Sequence, residues 1–247
     1  MSHFFKKTLK DRRAVVLALF IISPFTLQEA AASGKALIYS GVGACKDGCV
    51  EAAAQVAIRA GLEVEYVKAA QIRPEIFKDA AVWIQPGGDA IQLSGAISAT
   101  KKALISDFIS RGGKYLGFCA GAFFADQKVD DANTVPGLGI LPGVTQDYTK
   151  EKAPMILPMI WKGQLRYVYF EEGAAIYPNN QGSHVNVVAV YENFIPAVVT
   201  FKHGLGKAAL SGVHPEAPSD WKAADQLNDP DGSDFDLSDD LMHQLLN

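Results

Sequence analysis

Three residue types that together make a nucleophile, a base and an orienting acid occur in two short motifs. Cys119 lies inside Gly117-Phe118-Cys119-Ala120-Gly121, and His214 and Glu216 lie inside His214-Pro215-Glu216. A cysteine sulfur can attack a carbonyl carbon and carry the acyl group as a covalent intermediate. A histidine can take the thiol proton and later deliver it to the leaving group, while a carboxylate fixes the imidazole tautomer and stabilises its charged form. A residue between two glycines, where a strand hands over to a helix, sits on a tight, strained turn that lifts its side chain above a sheet. The start of a helix there favours the thiolate. His214 and Glu216, two residues apart on an extended segment, point the same way, and Pro215 stiffens the segment. The backbone N–H groups of Gly88 and Ala120 are the candidates for an oxyanion hole, and Gly41, Gly43, Gly87 and Asp89 for the walls of a substrate pocket. Each piece alone has a plainer reading, a buried inert cysteine or a polar turn. Their joint placement at strand ends carries the chemistry.

The elements that must position these residues read as strands alternating with helices. Residues 36–39 are a short apolar strand ending in Ser40-Gly41-Val42-Gly43-Ala44, and residues 50–60 are a helix stopped by Gly61. Residues 63–67 are a second strand. Residues 81–84 are a third, ending at Pro86-Gly87-Gly88-Asp89, and residues 98–110 show helical spacing before Gly112-Gly113. Tyr115 and Leu116 close a fourth strand, and a helix opens at Ala120. Such a series builds a parallel sheet flanked by helices, and ligands of such sheets bind beyond the carboxyl ends of the strands. Three glycine-bearing loops would converge on that one edge. Residues 130–165, rich in Pro and Gly, read as a long irregular excursion. Residues 166–170, 185–191, 197–201 and 208–211 read as strands, with Gly204-Leu205-Gly206-Lys207 as a hairpin turn. Residues 229–240 hold six aspartates off the intervals of a calcium loop; they read as a solvated acidic segment before a last short helix.

Lys6, Lys7, Lys10, Arg12 and Arg13, an apolar run over residues 14–25 and the small residues Ala30-Ala31-Ala32 follow the order of a secretory signal peptide. The expected organisation is therefore a signal peptide over residues 1–32, one domain over 33–220 and an acidic C-terminal extension over 221–247. The expected location is periplasmic or secreted, with membrane contact only through the uncleaved signal segment. Net charge is −4 overall and −7 without residues 1–32, which argues against nucleic acid as a partner. Of the three cysteines, Cys45 and Cys49 are free to pair in an oxidising compartment, leaving Cys119 as the odd thiol. The alternative, three unpaired small residues, stays open. No metal site and no cofactor are expected.

The string Gly112-Gly113-Lys114-Tyr115-Leu116-Gly117-Phe118-Cys119-Ala120-Gly121-Ala122-Phe123-Phe124 resembles the biotin-protein ligase N-terminal-like family of the class I glutamine amidotransferase-like superfamily. Pro86-Gly87-Gly88-Asp89 and Ser211-Gly212-Val213-His214-Pro215-Glu216 fit its other two landmarks in the same order. The resemblance, over about residues 35–217, implies a flavodoxin-like, mostly parallel sheet with an additional β-rich C-terminal part, and a Cys119, His214, Glu216 triad. Phe123 stands where glutamine-hydrolysing members usually carry a glutamine, and the chain leaves no room for a synthase domain.

The functional expectation is an exported hydrolase of an amide or related acyl bond in a small molecule or short peptide. The alternative is a non-catalytic envelope binding protein using the same cleft. A thiol relay with Cys45 as resolving thiol is a third reading.

Overall fold

The computed structural model describes residues 34–130, 132–179 and 185–247; the expected signal peptide lies outside them. In chain order the first strands are β1 (Lys35–Tyr39), β2 (Glu63–Val67), β3 (Ala80–Gln85) and β4 (Lys114–Phe118). Then come β5 (Gly143–Asp147), β6 (Met155–Trp161), β7 (Gln164–Phe170), β8 (Ala174–Pro178), β9 (Asn186–Tyr191), β10 (Pro196–His203) and β11 (Gly206–Ser211). The helices are α1 (Cys49–Arg59), α2 (Ala90–Ala96), α3 (Ala99–Ser110), α4 (Ala120–Phe124), α5 (Ser219–Ala224) and α6 (Phe235–Leu246).

Nine strands form one sheet in the order β2-β1-β3-β4-β11-β10-β9-β6-β7. From β2 to β11 every pairing is parallel, and from β11 to β7 every pairing is antiparallel. The sheet is therefore mixed, not mostly parallel. The additional β-rich later part is present: after the β10–β11 hairpin places β11 beside β4, β9, β6 and β7 extend the same hydrogen-bonded ladder. Only β5 and β8 pair apart, as a two-stranded sheet. The supposed irregular excursion over residues 130–165 contains β5 and β6. Pro158 inside β6 disguised that strand in the sequence.

The strand side chains alternate between two apolar layers, as a period of two requires. Ala36, Ile38, Val82, Ile84, Leu116 and Phe118 face α1 and α6 on one side. Leu37, Tyr39, Trp83 and Tyr115 face α2, α3 and α4 on the other. The central strands are buried on both faces, which explains their continuous apolar runs. The segment expected as an acidic extension belongs to the first layer, because Leu237, Leu241, Met242 and Leu245 are buried there. Its aspartates are not simply solvated either. Asp231, Asp234 and Asp236 surround Arg166, Asp229 and Asp234 hold Lys222, Asp239 pairs with Arg59 and Asp240 with Lys162.

The sheet also curls. In a flat sheet β7 would lie four strand spacings, about 19 Å, from β11. Yet the His214 N–H, just past β11, donates to the Tyr169 carbonyl on β7 at 2.8 Å. The far edge thus returns over the strand ends of the parallel half and closes one side of a cleft.

Candidate active site

Parallel pairing of β4 with β11 sets Phe118 opposite Ser211, and the Cys119 N–H continues the ladder to the Ser211 carbonyl at 2.8 Å. Cys119 is thus the first residue beyond β4, and His214 follows just beyond the neighbouring strand. Cys119 has φ 47° and ψ −106°, a conformation that costs a non-glycine residue about 1–3 kcal/mol. The two flanking glycines are required by backbone packing. A Cβ on Gly117 would sit 2.5 Å from the Gly121 carbonyl oxygen, and one on Gly121 would sit 2.3 Å from that of Gln85. The helix after the elbow has only five residues, so it offers the unbonded N–H groups of its first turn rather than a long dipole.

His214 Nδ1 lies 2.8 Å from Glu216 Oε1, which leaves Nε2 as the ring nitrogen available to the sulfur. The imidazole is buried between Tyr169 and Trp221, both edge-on to it at 5.8 Å and 5.7 Å between ring centres. Burial pushes its pKa down, but the Glu216 carboxylate and then the Cys119 sulfur outweigh burial and hold the pKa well above the ordinary 6.5. Glu216 is 1 % exposed, and its Oε2 has no hydrogen-bond partner among the described residues. The Cys119 thiol itself donates to the Glu171 carbonyl at 3.5 Å, so it stands between that oxygen and the imidazole.

Gly87 is the hinge of this arrangement. A Cβ there would fall 2.8 Å from His214 Cε1, 3.6 Å from Cys49 Sγ and 3.7 Å from Cys119 Cβ. Only a glycine leaves room for the imidazole beside the elbow. Cys45 and Cys49 form a disulfide with Cα atoms 5.7 Å apart, and Cys119 is a free, buried thiol. The Cys45 sulfur that a relay would need as its resolving thiol is therefore bonded to Cys49.

A cleft of about 710 Å³ opens above these groups, with Cys119 and His214 among its lining residues. Gly88 and Asp89 line it too. The Gly88 and Ala120 N–H groups donate no hydrogen bond among the described residues. Asp89 Oδ1 caps α2 through the N–H groups of Ile91 and Gln92. Gly41, Gly43, Gly87 and Ala120 are not among the lining residues; Ala120 is buried behind the elbow, and Gly41 and Gly43 serve packing instead. Gly43, at φ +89°, has the Leu93 backbone nitrogen 2.2 Å from where its Cβ would be, so any side chain would drive α2 away. The sequence reading missed Tyr169, Trp221 and Asp225 as lining residues. Tyr169 donates to Asp225 at 2.7 Å. Trp221, five residues past Glu216 on a helix that starts at Ser219, was legible only as a helix aromatic.

Among the described residues no three His, Cys, Asp or Glu side chains converge as a metal site, and no helix is long and apolar enough to cross a membrane.

Residues 35–140 match the family described as "Biotin-protein ligase, N terminal". That span covers the elbow but stops short of His214. Over 160 residues the chain is 31 % identical to the biotin–protein ligase of Schizosaccharomyces pombe, covering 55 % of this chain and 25 % of the ligase. The chain therefore spans about a quarter of the length of that curated relative. Among solved structures, a glutamine amidotransferase superposes with a TM-score of 0.56 at 19 % identity, over 75 % of this chain and 90 % of its own. A cytoplasmic protein from Salmonella typhimurium superposes with a TM-score of 0.55 at 14 % identity, over 85 % and 98 %. At these identities the structures speak for the fold. Residues 35–140 are thus a biotin-protein ligase N-terminal-like region, set in a chain with the fold of class I glutamine amidotransferase-like proteins.

Proposed function

We propose that this chain is a cysteine-nucleophile hydrolase of an amide or related acyl bond in a small molecule or short peptide. The observation that carries the reading is a free thiol on a strained elbow, beside an imidazole whose other nitrogen is held 2.8 Å from a buried carboxylate. Cys119 attacks the carbonyl carbon while His214 takes its proton; the carbonyl electron pair moves to oxygen and returns as the C–N bond breaks. His214 protonates the departing amine, leaving a thioester on Cys119. Water then attacks the thioester with His214 accepting its proton, and the acid leaves as the thiol reforms. Glu216 keeps the ring oriented and stabilises its positive charge. Gly88 and Ala120 N–H groups receive the oxyanion, a role in which one donor is typically worth about 3 kcal/mol of barrier.

The Cys45–Cys49 disulfide supports an oxidising compartment, in keeping with an exported protein, periplasmic or secreted. A second reading, a binding protein using the same cleft, draws support from the thiol being 6 % exposed and turned to a backbone carbonyl. Wild type and Cys119→Ala should be screened in parallel on small amides and short peptides. Hydrolysis by the wild type alone supports the hydrolase. Equal hydrolysis by both proteins removes it, and binding without hydrolysis by either favours the second reading.

A further inference from the structure

The cleft above Cys119 is strongly asymmetric in charge. Among the described residues its lining carries six carboxylates, Asp47, Asp89, Asp147, Glu171, Glu172 and Asp225, against one cationic side chain besides His214, Lys152. Lys152 is already spent, 3.0 Å from Glu172. Asp89 and Asp225 accept hydrogen bonds from neutral donors, the backbone and side-chain amide of Gln92 and the Tyr169 hydroxyl. Such bonds order a carboxylate without cancelling its charge. Burial first, then the bond to Asp225 and the charge of Glu171, push the Tyr169 hydroxyl pKa far up, so this ring stays neutral.

A second feature of the lining agrees. Phe123, Tyr169 and Trp221 present aromatic surface to the same space. Aromatic surface and the carboxylates of Asp47, Asp89, Glu171 and Asp225, none of which has a lysine or arginine ion pair among the described residues, together are the chemistry that recognises an ammonium or guanidinium group. A substrate carboxylate or phosphate would need an arginine or free lysine, and the described lining offers neither.

We infer that the cleft selects substrates bearing a positive charge near the scissile bond, an amine or guanidinium, and disfavours anionic ones. The inference rests on the proposed hydrolase for the word substrate, but the charge selection can be tested without turnover.

Cys119, the sole free thiol, can be titrated with three probes: neutral iodoacetamide and two methanethiosulfonates of similar size, one ending in trimethylammonium and one in sulfonate. Rates are normalised to those of a small neutral thiol. The expected result is a cationic-over-anionic ratio of about 10-fold or more at low salt, collapsing at about 1 M salt. The double change Asp47→Asn with Glu171→Gln, both exposed residues, should lower the ratio severalfold. Equal rates for the two charged probes, or a faster sulfonate, with iodoacetamide still reacting, would overturn the charge selection and leave the nucleophile standing. Failure of all three probes to modify Cys119 in the folded protein would remove the proposed function and this inference together.

Discussion

Two clusters of charge, one only partly buried, differ in what they leave undone. Beside the C-terminal helices, Lys222 contacts Asp229, Asp234 and the Gly232 carbonyl, and Arg166 contacts Asp231, Asp234 and Asp236. Each cation there faces several acceptors, and burial pushes Asp234 up to about 6 even with Lys222 beside it. At the strand ends, by contrast, His214 and Glu216 make one bond, one carboxylate oxygen has no partner among the described residues, and the neighbouring cysteine is strained. The satisfied charges hold structure, whereas the incomplete satisfaction and backbone strain lie where the proposed reaction would take place. The two clusters are also joined. Lys222 and Trp221 are neighbours on α5, so the clamp that fixes Lys222 also fixes the ring that walls in His214.

Altering each cluster in turn would break or sharpen this contrast. The largest effect is expected from Cys119→Ala, about 10⁴-fold or more in turnover with the urea midpoint nearly unchanged; a large stability loss would make the elbow structural instead. Next comes Lys222→Met, which leaves Asp229 and Asp234 as buried charges without their lysine. It should cost about 3–5 kcal/mol in equilibrium unfolding, and a loss below about 1 kcal/mol would contradict the clamp.

Glu216→Gln should lower the His214 pKa, read by NMR titration of the ring. The folded value lies above the unfolded one, so protonated His214 adds stability that is complete below 6.5 and lost as pH rises through the raised folded value. The stability gap between wild type and variant should accordingly narrow toward alkaline pH; a gap independent of pH would mean the carboxylate does not charge the ring. Smallest is Lys162→Met, which removes an exposed pair with Asp240 and should cost no more than about 1 kcal/mol.

The parts of the site legible in the sequence were those whose chemistry is local. Gly117 and Gly121 announce the elbow because backbone atoms pass where their Cβ atoms would be. His214 and Glu216 announce themselves by a two-residue spacing. The apolar runs of β1, β3 and β4 were legible because parallel central strands are buried on both faces. What escaped depends on partners distant in the chain. The aspartates of residues 229–240 look solvated until Arg166 and Arg59, 70 and 180 residues from Asp236 and Asp239, arrive beside them. Tyr169 reads as an ordinary strand aromatic, and only the curl of the sheet brings it to His214.

The central claim is that Cys119 is an activated nucleophile working with His214. The most direct measurement is the rate of Cys119 alkylation by iodoacetamide at neutral pH, mapped by peptide mass analysis, in wild type and in His214→Asn. The account predicts that the wild-type thiol reacts faster than a small free thiol and slows markedly in the variant. A wild-type rate no faster than that of the free thiol, unchanged by His214→Asn, would contradict it.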